Sequence, residues 1–174
     1  MSKEKSRYPL FKLSFIAFVF ILCIMLVYFT FLYHKTQQNK TADYAKVKEI
    51  VMEQTQIIEI DDILRFHGEE AFYVVFGTTE NNEEKIAFVP FEYHHEEPIT
   101  TINQSEIISQ ENILNKWRNQ CSNCKFIKII PGKVNDELVW ELTYIDSTDR
   151  YVFDYLSIYD GTQYEQLRFK MLFK

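Results

Sequence analysis

The sequence predicts an α+β chain: an N-terminal transmembrane helix followed by two tandem small units, each a helix plus an antiparallel sheet. Three observations predict it. Residues 13–33 carry no charged side chain. Beyond them, apolar residues recur first at helical spacing and then at alternate positions, the marks of an amphipathic helix followed by half-buried strands. That order occurs twice, with Thr41 and Ser109 as matching helix caps and Tyr73 and Trp140 as matching strand residues.

The composition bounds the function. Of 174 residues, 47% are hydrophobic and 25% charged, which excludes wholesale disorder. Lys3, Lys5, Arg7, Lys12 and Lys35 face one acid, Glu4, at the start of the chain, yet the whole carries a net charge of −6. The rest is therefore strongly acidic, which argues against nucleic acid as its partner. Only four glycines are present, and neither GxGxxG nor GxxxxGK[ST] occurs. Gly-rich phosphate cradles are thereby excluded. Nothing in the sequence implies a cofactor.

The uncharged run reads LSFIAFVFILCIMLVYFTFLY. As a helix it is about 31 Å long, the thickness of a bilayer core. A cleaved signal peptide would have a shorter apolar region and a small-residue cleavage site. Here the run continues to Tyr33, and Leu22 before Cys23 does not fit a lipoprotein cysteine. Basic residues crowd before Leu13, so the positive-inside rule places residues 1–12 in the cytoplasm and the C-terminal part outside the cell.

Residues 34–40 read as a polar linker, and residues 41–104 as the first unit. Thr41 is the expected helix cap, with Tyr44, Val47, Ile50 and Val51 on one face and a helix end near Gln56. Three strands are expected: Ile57–Phe66, Ala71–Gly77 and Lys85–Tyr93. Pro90 donates no ladder hydrogen bond and marks an edge at that point. Residues 105–174 form the second unit. Ser109 caps a short helix bearing Ile113, Leu114 and Trp117. Strands follow at Lys125–Ile130 (stopping at Pro131-Gly132), Leu138–Ile145, Tyr151–Tyr159 and Tyr164–Phe173. Asp160-Gly161 is a hairpin signal. In the last strand Leu167, Phe169, Met171 and Phe173 should face inward. Trp140 should be buried near Trp117, its indole N–H bonded to a partner.

Candidate chemistry is sparse. His94-His95-Glu96-Glu97 is the only dense metal-ligand cluster, but neighbours on a strand diverge, so a solvated loop is expected and no metal. Cys121-Ser122-Asn123-Cys124 could be a redox pair, half a zinc site, free thiols or a local disulfide. Redox pairs of the thioredoxin type open a helix, whereas this pair follows one, and zinc lacks further ligands. Outside the membrane a local disulfide, Cys121 to Cys124, is the expectation. No GxSxG or SxxK occurs, and paired acids such as Asp61-Asp62 and Glu83-Glu84 read as solvated surface. No catalytic residues are assigned. Charge is also patterned: residues 112–135 hold no acid and five bases, Lys116, Arg118, Lys125, Lys128 and Lys133. They read either as ordinary surface or as a basic strip contacting a partner.

The C-terminal run Pro131-Gly132, Val139-Trp140-Glu141-Leu142-Thr143-Tyr144, Arg150-Tyr151 with Phe153 and Tyr155, and Asp160-Gly161 resembles the TseB-like (YpmB-like) cell-wall elongation regulators of Gram-positive bacteria. In that family the tandem domains look like PepSY or cystatin-like units. Trp140, Tyr144, Tyr151 and Tyr155 then belong to the core motif. The resemblance implies a non-catalytic accessory protein that acts on a class B penicillin-binding protein, a cell-wall transpeptidase held in the same membrane. Two rivals are an inhibitor or chaperone of a secreted peptidase and a sensor of anionic wall polymer.

Overall fold

The computed structural model describes residues 8–94 and 98–170, without the side chains of residues 8–14, 17, 32 and 34–42. The first helix, α1 (Tyr8–Gln54), runs 47 residues without a break. The expected linker at 34–40 and cap at Thr41 are therefore helix interior. The reason is chemical: between Pro9 and Gly68 the sequence has no proline or glycine to end a helix. The end comes at Thr55, whose hydroxyl donates to the Val51 carbonyl at 2.7 Å while its oxygen accepts from the Ile57 N–H at 3.1 Å. Over the residues whose side chains are described, no helix is long and apolar enough to cross a membrane. Leu13, Ser14, Ala17 and Leu32 of the expected span lie outside them. Residues 1–45 and 46–174 form two separate compact units.

In the second of these units, β1 (Ile57–His67), β2 (Ala71–Thr79), β3 (Glu84–Pro90) and β4 (Thr100–Asn103) make an antiparallel sheet in sequence order. Strand β4 is unexpected. It has four residues, Thr-Thr-Ile-Asn, too few to show alternation. It pairs with Lys85 to Phe88 and leaves Pro90 with β2 alone as its neighbour, so the missing N–H costs no ladder bond.

Helix α2 (Gln110–Gln120) begins at Ser109, whose side chain accepts from the Asn112 N–H. Cys121 and Cys124 are disulfide-bonded between the end of α2 and the start of the second sheet. That sheet is β5 (Lys125–Val134), β6 (Glu137–Ile145), β7 (Arg150–Ser157) and β8 (Gln163–Lys170), again antiparallel in sequence order. The hairpin at Asp160-Gly161 forms with Gly161 at φ +69, in the left-handed region.

Strand β5 does not stop at Pro131-Gly132. Pro131 pairs with Trp140 and Gly132 with Val139. An edge strand tolerates proline where its N–H would point away from the ladder. The glycine matters more. A Cβ at Gly132 would strike the ring of Phe66, which is fully buried. This contact interlocks the two sheets. Gly132→Ala should therefore cost about 1–3 kcal/mol through displaced backbone or ring, seen as a lower melting temperature in circular dichroism of the purified chain.

The first sheet is buried on both faces. Phe66, Phe72, Val74, Ile86, Phe88 and Ile102 join one continuous core with Ile113, Trp117, Trp140 and Leu142 of the second half. Tyr73, Val75, Ala87 and Val89 alternate with that set and are also buried. Val47, Ile50 and Val51, on the last turns of α1, are buried outside the shared core too, at the i, i+3, i+4 spacing of a helix face.

Candidate functional site

The second sheet has two unlike faces. Directly opposed residues of an antiparallel ladder point to the same side, so the register defines them. One face carries Phe126, Tyr144 and Val152 in one row and Ile129, Leu142 and Asp154 in the next. Helix α2 covers it. Trp117 lies 5.5 Å from the Tyr144 ring and 5.9 Å from Phe126. Trp140 is 3% exposed, and its indole N–H donates to the Ile108 carbonyl at 3.0 Å.

The other face carries three rows: Lys125, Ile145, Tyr151, Phe169; then Lys128, Thr143, Phe153, Leu167; then Ile130, Glu141, Tyr155, Glu165. Its inner end is buried. Its outer end is open, with Phe169 53% and Leu167 37% exposed. Tyr151 and Phe153 stand 5.2 Å apart, and Phe153 meets Phe169 edge-on at 6.0 Å. This overturns the inward placement of Leu167 and Phe169: the alternation of β8 is real, but among the described residues no element covers the end of the face it joins. Met171 and Phe173 lie outside the described residues. The open end is an apolar, aromatic surface with Lys125 exposed at its margin.

At the junction of the buried and open ends sits Glu141, with 1% of its surface exposed. Lys128 Nζ is 2.7 Å from Oε1. The Thr143 and Tyr155 hydroxyls donate to the same carboxylate, each at 3.3 Å. Burial, with the Glu141 charge beside it, pushes the Tyr155 hydroxyl up to about 12. It therefore remains a neutral donor at any physiological pH. A carboxylate buried this deeply is tolerated because its lone pairs are occupied and one neighbour is cationic. Sequence reasoning quoted Glu141 only as part of a motif and missed its role. The available signal was an acid inside the apolar run Leu138 to Tyr144.

The five basic residues do not form one strip. Lys116 and Arg118 are exposed on α2, which covers one face of the sheet, while Lys125 and Lys128 project from the opposite face. Lys133 is bonded to Asp136 at 2.7 Å. Lys128 is committed to Glu141, so reversing its charge cannot leave folding untouched. Within the core motif, Trp140, Tyr144 and Tyr155 are buried and Tyr151 is half-buried. Of the histidine cluster, His94 is exposed, and residues 95–97 lie outside the described residues. Among the described residues, no three His, Cys, Asp or Glu converge to hold a metal ion.

Comparison with known proteins supports the resemblance seen in the sequence. Residues 48–90 match the cell wall elongation regulator TseB-like domain. The chain resembles the TseB/YpmB-like family. The probable cell wall elongation regulator TseB of Bacillus subtilis (strain 168) is 21% identical over 137 residues, covering 75% of this chain and 80% of that protein. Among solved structures, the YpmB protein from Bacillus subtilis has a TM-score of 0.61 at 23% identity, over 74% of this chain and 95% of that one. That likeness shows a shared fold. A solved structure from Clostridium difficile 630, titled a putative lipoprotein, has a TM-score of 0.36. The matched segment covers the last turns of α1 and strands β1 to β3, whereas the motifs that carry the resemblance in the sequence lie in β5 to β8.

Proposed function

We propose that this protein is a non-catalytic, membrane-anchored regulator of cell-wall elongation that binds a class B penicillin-binding protein outside the membrane. The similarity to a probable cell wall elongation regulator carries the reading. The open aromatic face of the second sheet supplies a surface suited to a protein partner, since aromatic residues dominate such contacts.

The anchor is residues 13–33. In its favour, the described side chains of this segment are exposed on every side of an unbroken helix, from Phe15 and Ile16 to Phe31 and Tyr33, as lipid contact requires. The basic N-terminus sets the orientation, with residues 1–12 cytoplasmic. Residues 41–104 and 105–174 are two copies of one helix-plus-sheet unit, a reading favoured by two four-stranded antiparallel sheets in the same strand order. Sharing one membrane raises the effective concentration of both proteins, so a weak contact suffices.

The contact centres on Tyr151, Phe153 and Phe169, with Lys125 at the rim. The test is capture of the transpeptidase ectodomain by the detergent-solubilised full chain. Lys125→Glu should reduce capture about two- to fivefold at low salt, the scale of an exposed charge, and the deficit should shrink in high salt. Capture unaffected by both Lys125→Glu and Phe169→Ala removes this face from the contact.

A further inference from the structure

A second concave site lies away from that face. A cleft of about 580 Å³ opens between the β2–β3 hairpin and the start of α2. That volume is in the range of small-ligand sites, roughly 300–1,000 Å³, and such sites favour junctions between packed units. Its floor is apolar: Phe76, Ile107 and Trp140. One wall presents Glu83 and Glu84, both exposed. Asn103, Gln104 and Gln110, with amide side chains, and Ser105 and Ser109, with hydroxyls, also line it. Among the described residues, no lysine or arginine lines it.

The walls are held in place. Thr79 grips the hairpin: its N–H donates to the Glu83 carbonyl and its carbonyl accepts from Asn82 N–H, both at 3.0 Å. Its hydroxyl accepts from Glu83 N–H at 3.2 Å. Asn82 takes φ 60, which sets the turn that carries the two acids. At the end of β4, Asn103 donates to Glu106 at 2.7 Å. The Trp140 ring is locked by its bond to Ile108.

We propose that this cleft binds a short peptide segment bearing a primary amine. The two carboxylates attract a cation in a cleft with no opposing positive charge. Side-chain amides and hydroxyls offer both donors and acceptors, the match for a peptide backbone. The apolar floor takes the stem of the amine-bearing side chain, as lysine stems pack on apolar surface while the ammonium reaches polar groups. This site is separate from the proposed transpeptidase contact and stands without it.

The experiment is calorimetric titration of the detergent-solubilised full chain with N-acetyl-Ala-Ala-Lys-amide and with the same peptide acetylated on its side-chain amine. The free amine form should bind at least about fivefold more tightly, the scale of an exposed ion pair. The double variant Glu83→Gln, Glu84→Gln should lose that preference while melting as the wild type does, because both side chains are exposed. Ser105→Trp, which fills the cleft, should abolish binding of either peptide. Equal affinity for the two peptides, no binding by the wild type at millimolar peptide, or an unchanged preference in the double variant would each overturn the proposal.

Discussion

Trp140→Ala should destabilise the protein by about 3–5 kcal/mol, the usual cost of truncating a buried large aromatic. Trp140 ties the segment before α2 to the second sheet. Its ring is 3% exposed and lies in the core shared by both sheets. Its N–H satisfies the Ile108 carbonyl in the segment that leads into α2. Removing the ring opens a cavity and leaves that carbonyl without its donor. The melting temperature of the detergent-solubilised chain should fall by roughly 10 °C or more. Trp140→Phe isolates the bond from the volume: it keeps most of the packing and should cost about 1–2 kcal/mol. Two variants of equal stability would mean that the hydrogen bond, not the cavity, dominates.

Lys128→Glu should be the second severe change, at about 3 kcal/mol or more. It places a carboxylate where the ammonium now sits 2.7 Å from buried Glu141, and an uncompensated buried charge costs several kcal/mol. The Thr143 and Tyr155 hydroxyls cannot replace a cation. The pair itself is weak evidence for stability, because burying both charges carries a desolvation cost. Lys128→Met combined with Glu141→Leu should therefore recover most of the loss, measured by urea denaturation. A double variant as unstable as Lys128→Glu would show that the apolar replacements cannot fill the site.

The strands are legible where apolar residues alternate with polar ones or run continuously between turn residues. Strands β1, β2 and β6 fall within one or two residues of their expected bounds. Strand β4 has too few residues for a period to appear. Helix α1 was divided in the sequence reading because a polar run looks like a linker, yet nothing between residues 34 and 40 breaks a helix. Pro131-Gly132 reads as a stop, but on an edge strand the proline is harmless and the glycine makes room for Phe66. The basic strip failed for a geometric reason. Nearness in sequence put five cations together, while α2 lies on one face of the sheet and Lys125 and Lys128 project from the other. Sequence also could not show which end of a sheet face stays open, since that depends on what packs there from elsewhere in the chain.

The central claim, a transpeptidase bound to the open face of the second sheet, is tested most directly by crosslinking in intact cells. A photoreactive amino acid replaces Phe169 in one strain and Glu80, an exposed turn residue in the first half, in another. The account predicts a crosslinked adduct containing a class B penicillin-binding protein from position 169 and none from position 80. No such adduct from position 169, or adducts of equal yield from both positions, would contradict it.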